Sequence, residues 1–228
     1  MIWSLLLILL LVVIYVPNLW VQKVMDRYAR PEGRYPVSGA ELARELLDRC
    51  SLWGVQVEPT QDGDHYDPQD RVVRLGETHY RGRSLAALTI AAHEVGHAVQ
   101  HASGYQPFLW RQRLVSWAAR GQQFGAGLLF MAPVIGGALR APAVVGLLAL
   151  GGILAMGSGI VVHLVTLPTE IDASFKRGLP LLQSSGYLFA DVDPPHARRL
   201  LVAAACTYVA QALAALLNFW AWLRMLRP

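Results

Sequence analysis

Read only as apolar and polar positions, the chain alternates between long uncharged apolar runs and charged stretches that separate them. Met1 to Trp20 holds no charged residue and places Trp3, Tyr15 and Trp20 near its ends, the pattern of a membrane-spanning helix with aromatic anchors at the interfaces. It lacks the basic start and small-residue cleavage site of a signal peptide, so it is expected to stay as an anchor. Further uncharged runs follow at Gly121 to Leu139, Ala141 to Leu167 and Leu200 to Leu223. The last two are long enough for a hydrocarbon layer of roughly 30 Å. Gln122, Gln123 and Pro133 shorten the first, which either spans or forms a re-entrant hairpin with its neighbour.

The polar stretch after the anchor predicts a small α+β portion. Residues from Ser38 to Cys50 read as an amphipathic helix with Ser38 as cap. Gly54 to Glu58 and Arg71 to Leu75 read as two short strands. The turn formers Gln61 to Pro68 lie between them, so a β-hairpin is expected. Leu85 to Gln100 reads as a helix started by Ser84 and stopped at Gly104. It is apolar nearly all round before His93, and such a helix is buried.

Composition fits a membrane protein with one modest polar portion: 54% hydrophobic, 16% charged and a mean hydropathy of +0.34. The net charge of +4 does not point to nucleic acid, because the basic residues form no aromatic-interleaved patch. Of the 20 Lys and Arg residues, 13 fall in 21–120 and 4 in 168–199, leaving 3 elsewhere. That bias puts both polar portions on the cytoplasmic side of a four-span chain with its N-terminus outside. Only Cys50 and Cys206 are present, which argues against a structural disulfide or a thiolate metal site.

The candidate chemistry lies in His93-Glu94-Val95-Gly96-His97. Histidines four apart share one helix face and can address a single ion. Glu94, about 100° round, can reach a water on it. A buried pair of histidines and a glutamate needs satisfying partners, and a divalent cation supplies them. A catalytic zinc takes three protein ligands and leaves one position open. Glu170 is the candidate third ligand: Pro168 is expected to end the second long span and start a new helix, with Glu170 in its first turn on the side that holds His93 and His97. Asp172 is expected to face elsewhere, as an ion-pair partner for Lys176 or a partner of a ligating histidine. His101 would stand roughly 12 Å from His93 on a straight helix and is read as a helix-end histidine. His163 is read as a histidine packed within the spans. His65 and Tyr66 can face a substrate, although a solvated turn is the simpler role. Tyr208, in the last span, is a candidate oxyanion donor or an ordinary interfacial tyrosine.

Three blocks in order resemble one family. They are Asp64-His65-Tyr66-Asp67-Pro68 with Val72-Val73-Arg74-Leu75, Ala92-His93-Glu94-Val95-Gly96-His97-Ala98-Val99-Gln100-His101, and Leu167-Pro168-x-Glu170-x-Asp172-Ala173-Ser174. With the four-span layout, they resemble the YugP-like bacterial membrane zinc metallopeptidases over nearly the whole chain, and more distantly the HtpX-type and CaaX-processing membrane proteases. The resemblance implies a zinc-dependent peptidase whose third ligand is a glutamate in a later helix. The distant relatives place an aspartate four residues after that glutamate; Ser174 stands there in this chain, as a possible partner of a ligating histidine.

The expectation is therefore a mainly α integral membrane protein of about four transmembrane helices with a small zincin-like α+β catalytic portion. Its parts are an anchor (1–20), a cytoplasmic catalytic region (21–120), a transmembrane hairpin (121–167), a cytoplasmic helical segment (168–199) and a last transmembrane helix (200–224). One zinc ion is bound by His93, His97 and Glu170, with Glu94 as general base. The substrate is a peptide or membrane protein held along the strand Gly54 to Glu58 or Arg71 to Leu75, the surroundings are the bilayer of the bacterial inner membrane, and the site faces the cytoplasm. Two rivals are a non-catalytic zinc-stabilised scaffold or adaptor and a site-2-type intramembrane protease. Against the latter, the apolar run before His93 is too short to cross a bilayer. Oligomeric state and endopeptidase or exopeptidase action are not legible.

Overall fold

A computed structural model describes residues 2–30 and 33–225. The chain is mostly helical, with one three-stranded sheet. Its elements are α1 (Ile2–Ala29), α2 (Gly39–Arg49), β1 (Gln56–Thr60), β2 (His65–Asp67), β3 (Val72–Gly76), α3 (Glu77–Tyr80), α4 (Leu85–Ala102), α5 (Gln106–Leu139) and α6 (Pro142–Ile171). A π-helical stretch (Asp172–Gly178), α7 (Leu179–Ser184) and α8 (Asp193–Met225) follow. They form two compact units, one of Met1–Leu109 with Pro168–Thr207 and one of Trp110–Leu167 with Tyr208–Pro228.

In the first unit α2 starts at a complete capping box. Ser38 Oγ accepts from the Glu41 N–H at 3.2 Å, and Glu41 Oε2 accepts from the Ser38 N–H at 2.6 Å. The face Leu42, Ala43, Leu46 and Leu47 is then buried in the core together with Leu85, Leu88 and Val95 of α4. Ser84 Oγ accepts from the Ala87 N–H at 3.2 Å and caps α4 as the sequence leads one to expect. At the other end Gly104 adopts φ +65°, and the Tyr105 N–H returns to the Gln100 carbonyl at 3.0 Å. That turn stops the helix one residue past its last satisfied carbonyls.

The expected hairpin is rearranged. β1 and β3, the two strands the alternation identifies, run parallel rather than antiparallel, and β2 completes the sheet in the order β1-β3-β2. The hairpin is formed by β2 and β3, with Tyr66 opposite Val73. β2 lies inside the stretch dense in turn formers and is too short to signal itself by alternation. What holds it there is burial of Tyr66, at 8% exposed, and a tight turn that puts Arg71 at φ 56°. β3 is thereby paired on both sides, so it offers no edge to a substrate strand.

Pro168 does not begin a new helix. α6 runs through it to Ile171, although the proline cannot donate to the carbonyl one turn back, and the helix then widens into the π-helical stretch. Glu170 consequently stands at the end of α6 and not in a first turn. α5 is one continuous helix from Gln106 to Leu139.

Among the described residues, two helical stretches are long and apolar enough to cross a membrane, Pro142–Ser184 and Asp193–Leu216. Two of the four expected spans therefore have a candidate helix among the described residues. Most side chains of Met1 to Trp20 lie outside the described residues. In the second unit many apolar side chains face outward, among them Trp117, Phe124, Phe130, Leu147 and Leu154.

Candidate metal centre

Two glycines set how closely α4 meets the π-helical stretch. A β-carbon at position 96 would stand 2.5 Å from the Ala173 carbonyl oxygen, and one at position 178 would stand 2.8 Å from the Ala92 carbonyl oxygen. Nothing larger than glycine fits at that crossing. The approach brings α4 against the segment that carries Glu170, Asp172 and Ser174, all of them buried.

At the crossing His93 Nε2 and His97 Nε2 each lie 3.3 Å from Glu170 Oε2. One donor atom from each of the three residues lies within 4.8 Å of the others. The two imidazoles meet at 79°, 4.7 Å between ring centres, as neighbours one helical turn apart do when both aim at one point. The Glu170 side chain is 1% exposed and His93 14%, so the cluster is closed on the carboxylate side and more open at His93. Glu94 follows His93 directly in α4 and is 6% exposed.

The other ring nitrogens fix what these imidazoles offer. His97 Nδ1 lies 3.0 Å from Gln100 Oε1. The Gln100 amide nitrogen donates to the Thr169 carbonyl at 2.8 Å and to Asp172 Oδ2 at 2.9 Å, so the oxygen must be the atom facing the histidine. An amide oxygen only accepts, which puts the proton on His97 Nδ1 and leaves a lone pair on Nε2. Ser174 Oγ stands 3.0 Å from His93 Nδ1 and is placed to accept in the same way. With both rings in this neutral tautomer, the two Nε2 lone pairs and one carboxylate converge as electron-pair donors. That donor set fits zinc, and it leaves room for a fourth, non-protein ligand.

The remaining sequence candidates fall in different places. Ser174 does stand against a histidine of the cluster. Asp172 does not face away: it is buried, pairs with Arg177 at 2.7 Å and not with Lys176, and touches Gln100. Tyr66 is not in a solvated turn. Its hydroxyl meets His101 Nδ1 at 2.9 Å, and both rings pack on Phe108. Burial, and secondarily the Arg71 cation, holds the His101 imidazole below its ordinary pKa. Burial likewise pushes the Tyr66 phenol up, with Asp67 adding to the rise and Arg71 opposing it. His65 is half-buried, with Nδ1 2.9 Å from the Gly63 carbonyl. His163 and Tyr208 belong to the second unit.

Gln100 escaped the sequence reading. Its one available signal is position: a lone neutral amide three residues after His97, on the same face of an otherwise apolar helix.

Comparison with known proteins gives two matches. The family described as "Putative neutral zinc metallopeptidase" matches residues 3–227. The "Putative membrane protease YugP" of Bacillus subtilis (strain 168) is 37% identical over 201 residues, covering 86% of this chain and 84% of that protein. No solved structure matches.

Proposed function

The chain belongs to that zinc metallopeptidase family, and on this premise we propose that it is a membrane-embedded zinc endopeptidase. The observation that carries the reading is the convergence of His93, His97 and Glu170 to within 4.8 Å of one another in a buried crossing. These three hold one zinc ion. When bound, zinc supplies Lewis-acid chemistry, activating a water and polarising the scissile carbonyl.

The rest is done by the chain. Glu94 takes a proton from the attacking water on its carboxylate and passes it to the departing amine nitrogen as the C–N bond breaks. Ser174 holds the His93 ring by its Nδ1–H, so that Nε2 stays aimed at the cluster. The substrate backbone pairs with the outer edge of β2, which no other strand of the sheet occupies and which Tyr66 ties to α4 through His101. The protein is multi-pass, with four spans in the bacterial inner membrane. The excess of Lys and Arg in 21–120 and 168–199 supports a site facing the cytoplasm, where peptides or membrane proteins are cut.

The test is Glu94→Gln in the full chain. It is expected to keep one zinc per chain and lose cleavage of a peptide library or of membrane proteins. Loss by at least about 10²-fold is expected for a positioned general base. A variant as active as the parent overturns the assignment, and a parent that binds zinc but cuts nothing favours the scaffold.

A further inference from the structure

Gln100 is fully buried and joins the two segments that carry the cluster. Its oxygen accepts a hydrogen bond from the His97 Nδ1–H at 3.0 Å. Its nitrogen grips the Thr169 carbonyl, the peptide group leading into Glu170, at 2.8 Å. The same nitrogen reaches Asp172 Oδ2 at 2.9 Å, which also accepts from Arg177 Nε at 2.7 Å. Arg177 in turn donates to Ser103 Oγ at 3.2 Å, and Ser103 Oγ donates to the backbone carbonyl of Gln100 at 3.1 Å. The chain of bonds therefore closes on itself. The guanidinium also lies over the Tyr105 ring, 5.4 Å from its centre.

A ring of this kind has one consequence for the cluster. The two amide hydrogens are committed to Thr169 and Asp172, so Gln100 cannot flip, and its oxygen can only accept from His97. We propose that Gln100, locked by Asp172 and Arg177, is a positioning residue. It holds His97 as the Nδ1–H tautomer and fixes the spacing between His97 and Glu170 before any ion arrives. Each histidine thus has its own support, a hydroxyl on the His93 side and a buried amide and ion-pair ring on the His97 side. Both supports cross from α4 to the segment that carries Glu170, but only the second also grips the backbone beside Glu170.

The proposal rests on the metal site proposed above, and the experiment separates the two. Zinc affinity of the full chain in detergent micelles is measured by competition with a chromophoric chelator. The variants are His97→Ala, Gln100→Leu and Gln100→Glu. Gln100→Leu is expected to weaken zinc binding about 10–100-fold, the usual cost of losing a histidine's outer partner. Gln100→Glu sets a carboxylate oxygen against both Asp172 and the Thr169 carbonyl and is also expected to weaken it. ¹⁵N spectra of the zinc-free chain are expected to show His97 protonated at Nδ1 in the parent and to lose that signature in Gln100→Leu. A bridge that only adds stability would leave the tautomer unchanged. Parent-like affinity in Gln100→Leu, with zinc lost in His97→Ala, overturns the role of Gln100 and leaves the metal site standing. Parent-like affinity in His97→Ala overturns the site itself. A Gln100→Leu chain that keeps the Nδ1–H signature also overturns the proposal.

Discussion

In the first unit Glu94, His97, Gln100, Thr169, Glu170, Asp172 and Ser174 all lie inside, each at most 6% exposed. In the second, Trp117, Phe124, Phe130, Leu147 and Leu154 lie outside, each at least 64% exposed. One unit hides polar groups and the other displays apolar ones. Burying a polar side chain costs free energy unless it is partnered, so the interior of the first unit is organised around hydrogen bonds and a donor cluster. Displaying large apolar side chains costs free energy in water but none in hydrocarbon, so the second unit suits the lipid solvent proposed for it. The contrast teaches that specificity of packing and specificity of surroundings are encoded in different stretches of one chain, and each can be broken separately.

The largest effect is expected from removing a donor. Glu170→Ala should abolish stoichiometric zinc binding, read by metal analysis after dialysis, while leaving membrane association intact. Next comes a charge on the outward face of the second unit. Leu154→Asp should cost about 2.5–3.5 kcal/mol of membrane insertion, the penalty for an aspartate near the centre of a spanning helix, read by a glycosylation-mapped insertion assay. The same aspartate at Trp53, 73% exposed in the first unit, should shift unfolding by no more than about 0.5 kcal/mol. If both positions tolerate the charge equally, the two surfaces do not differ in their solvent.

Gly96→Ala tests the packing side. Its β-carbon has no room beside Ala173, so α4 and the π-helical stretch must separate. A loss of about 1–3 kcal/mol in denaturant unfolding and weaker zinc binding are both expected.

The smallest effect is one of pH. Burial raises the Asp67 carboxyl, but the N–H groups of Gln69 and Asp70 and the Arg74 guanidinium outweigh it and hold it below the usual carboxylate range. A carboxyl lowered in the fold stabilises above its unfolded pKa and loses that contribution as pH falls through the folded value. Asp67→Asn should therefore be destabilising at pH 7, and its difference from the parent should shrink as pH falls below the ordinary carboxylate range, checked by urea unfolding across that range.

Much of the site was legible because its signals are local. His93 and His97 declare themselves by spacing, and Ser84 by its place before an apolar run. Glu170 emerged from counting ligands and spans. What stayed hidden depends on tertiary geometry. β2 is three residues long inside turn formers, and only its pairing with β3 makes it a strand. Asp172 faces Gln100 because α6 passes into a π-helical stretch, which no regular 3.6-residue pattern anticipates. Gln100 is invisible until Thr169 and Asp172 are brought to it across 69 and 72 positions of sequence.

The most direct test is a zinc-soaked crystal of the full chain measured at the zinc absorption edge. The account predicts a single anomalous peak about 2.0–2.2 Å from His93 Nε2, His97 Nε2 and a Glu170 carboxylate oxygen. A peak held by the two histidines with the Glu170 side chain turned away from it would contradict the account.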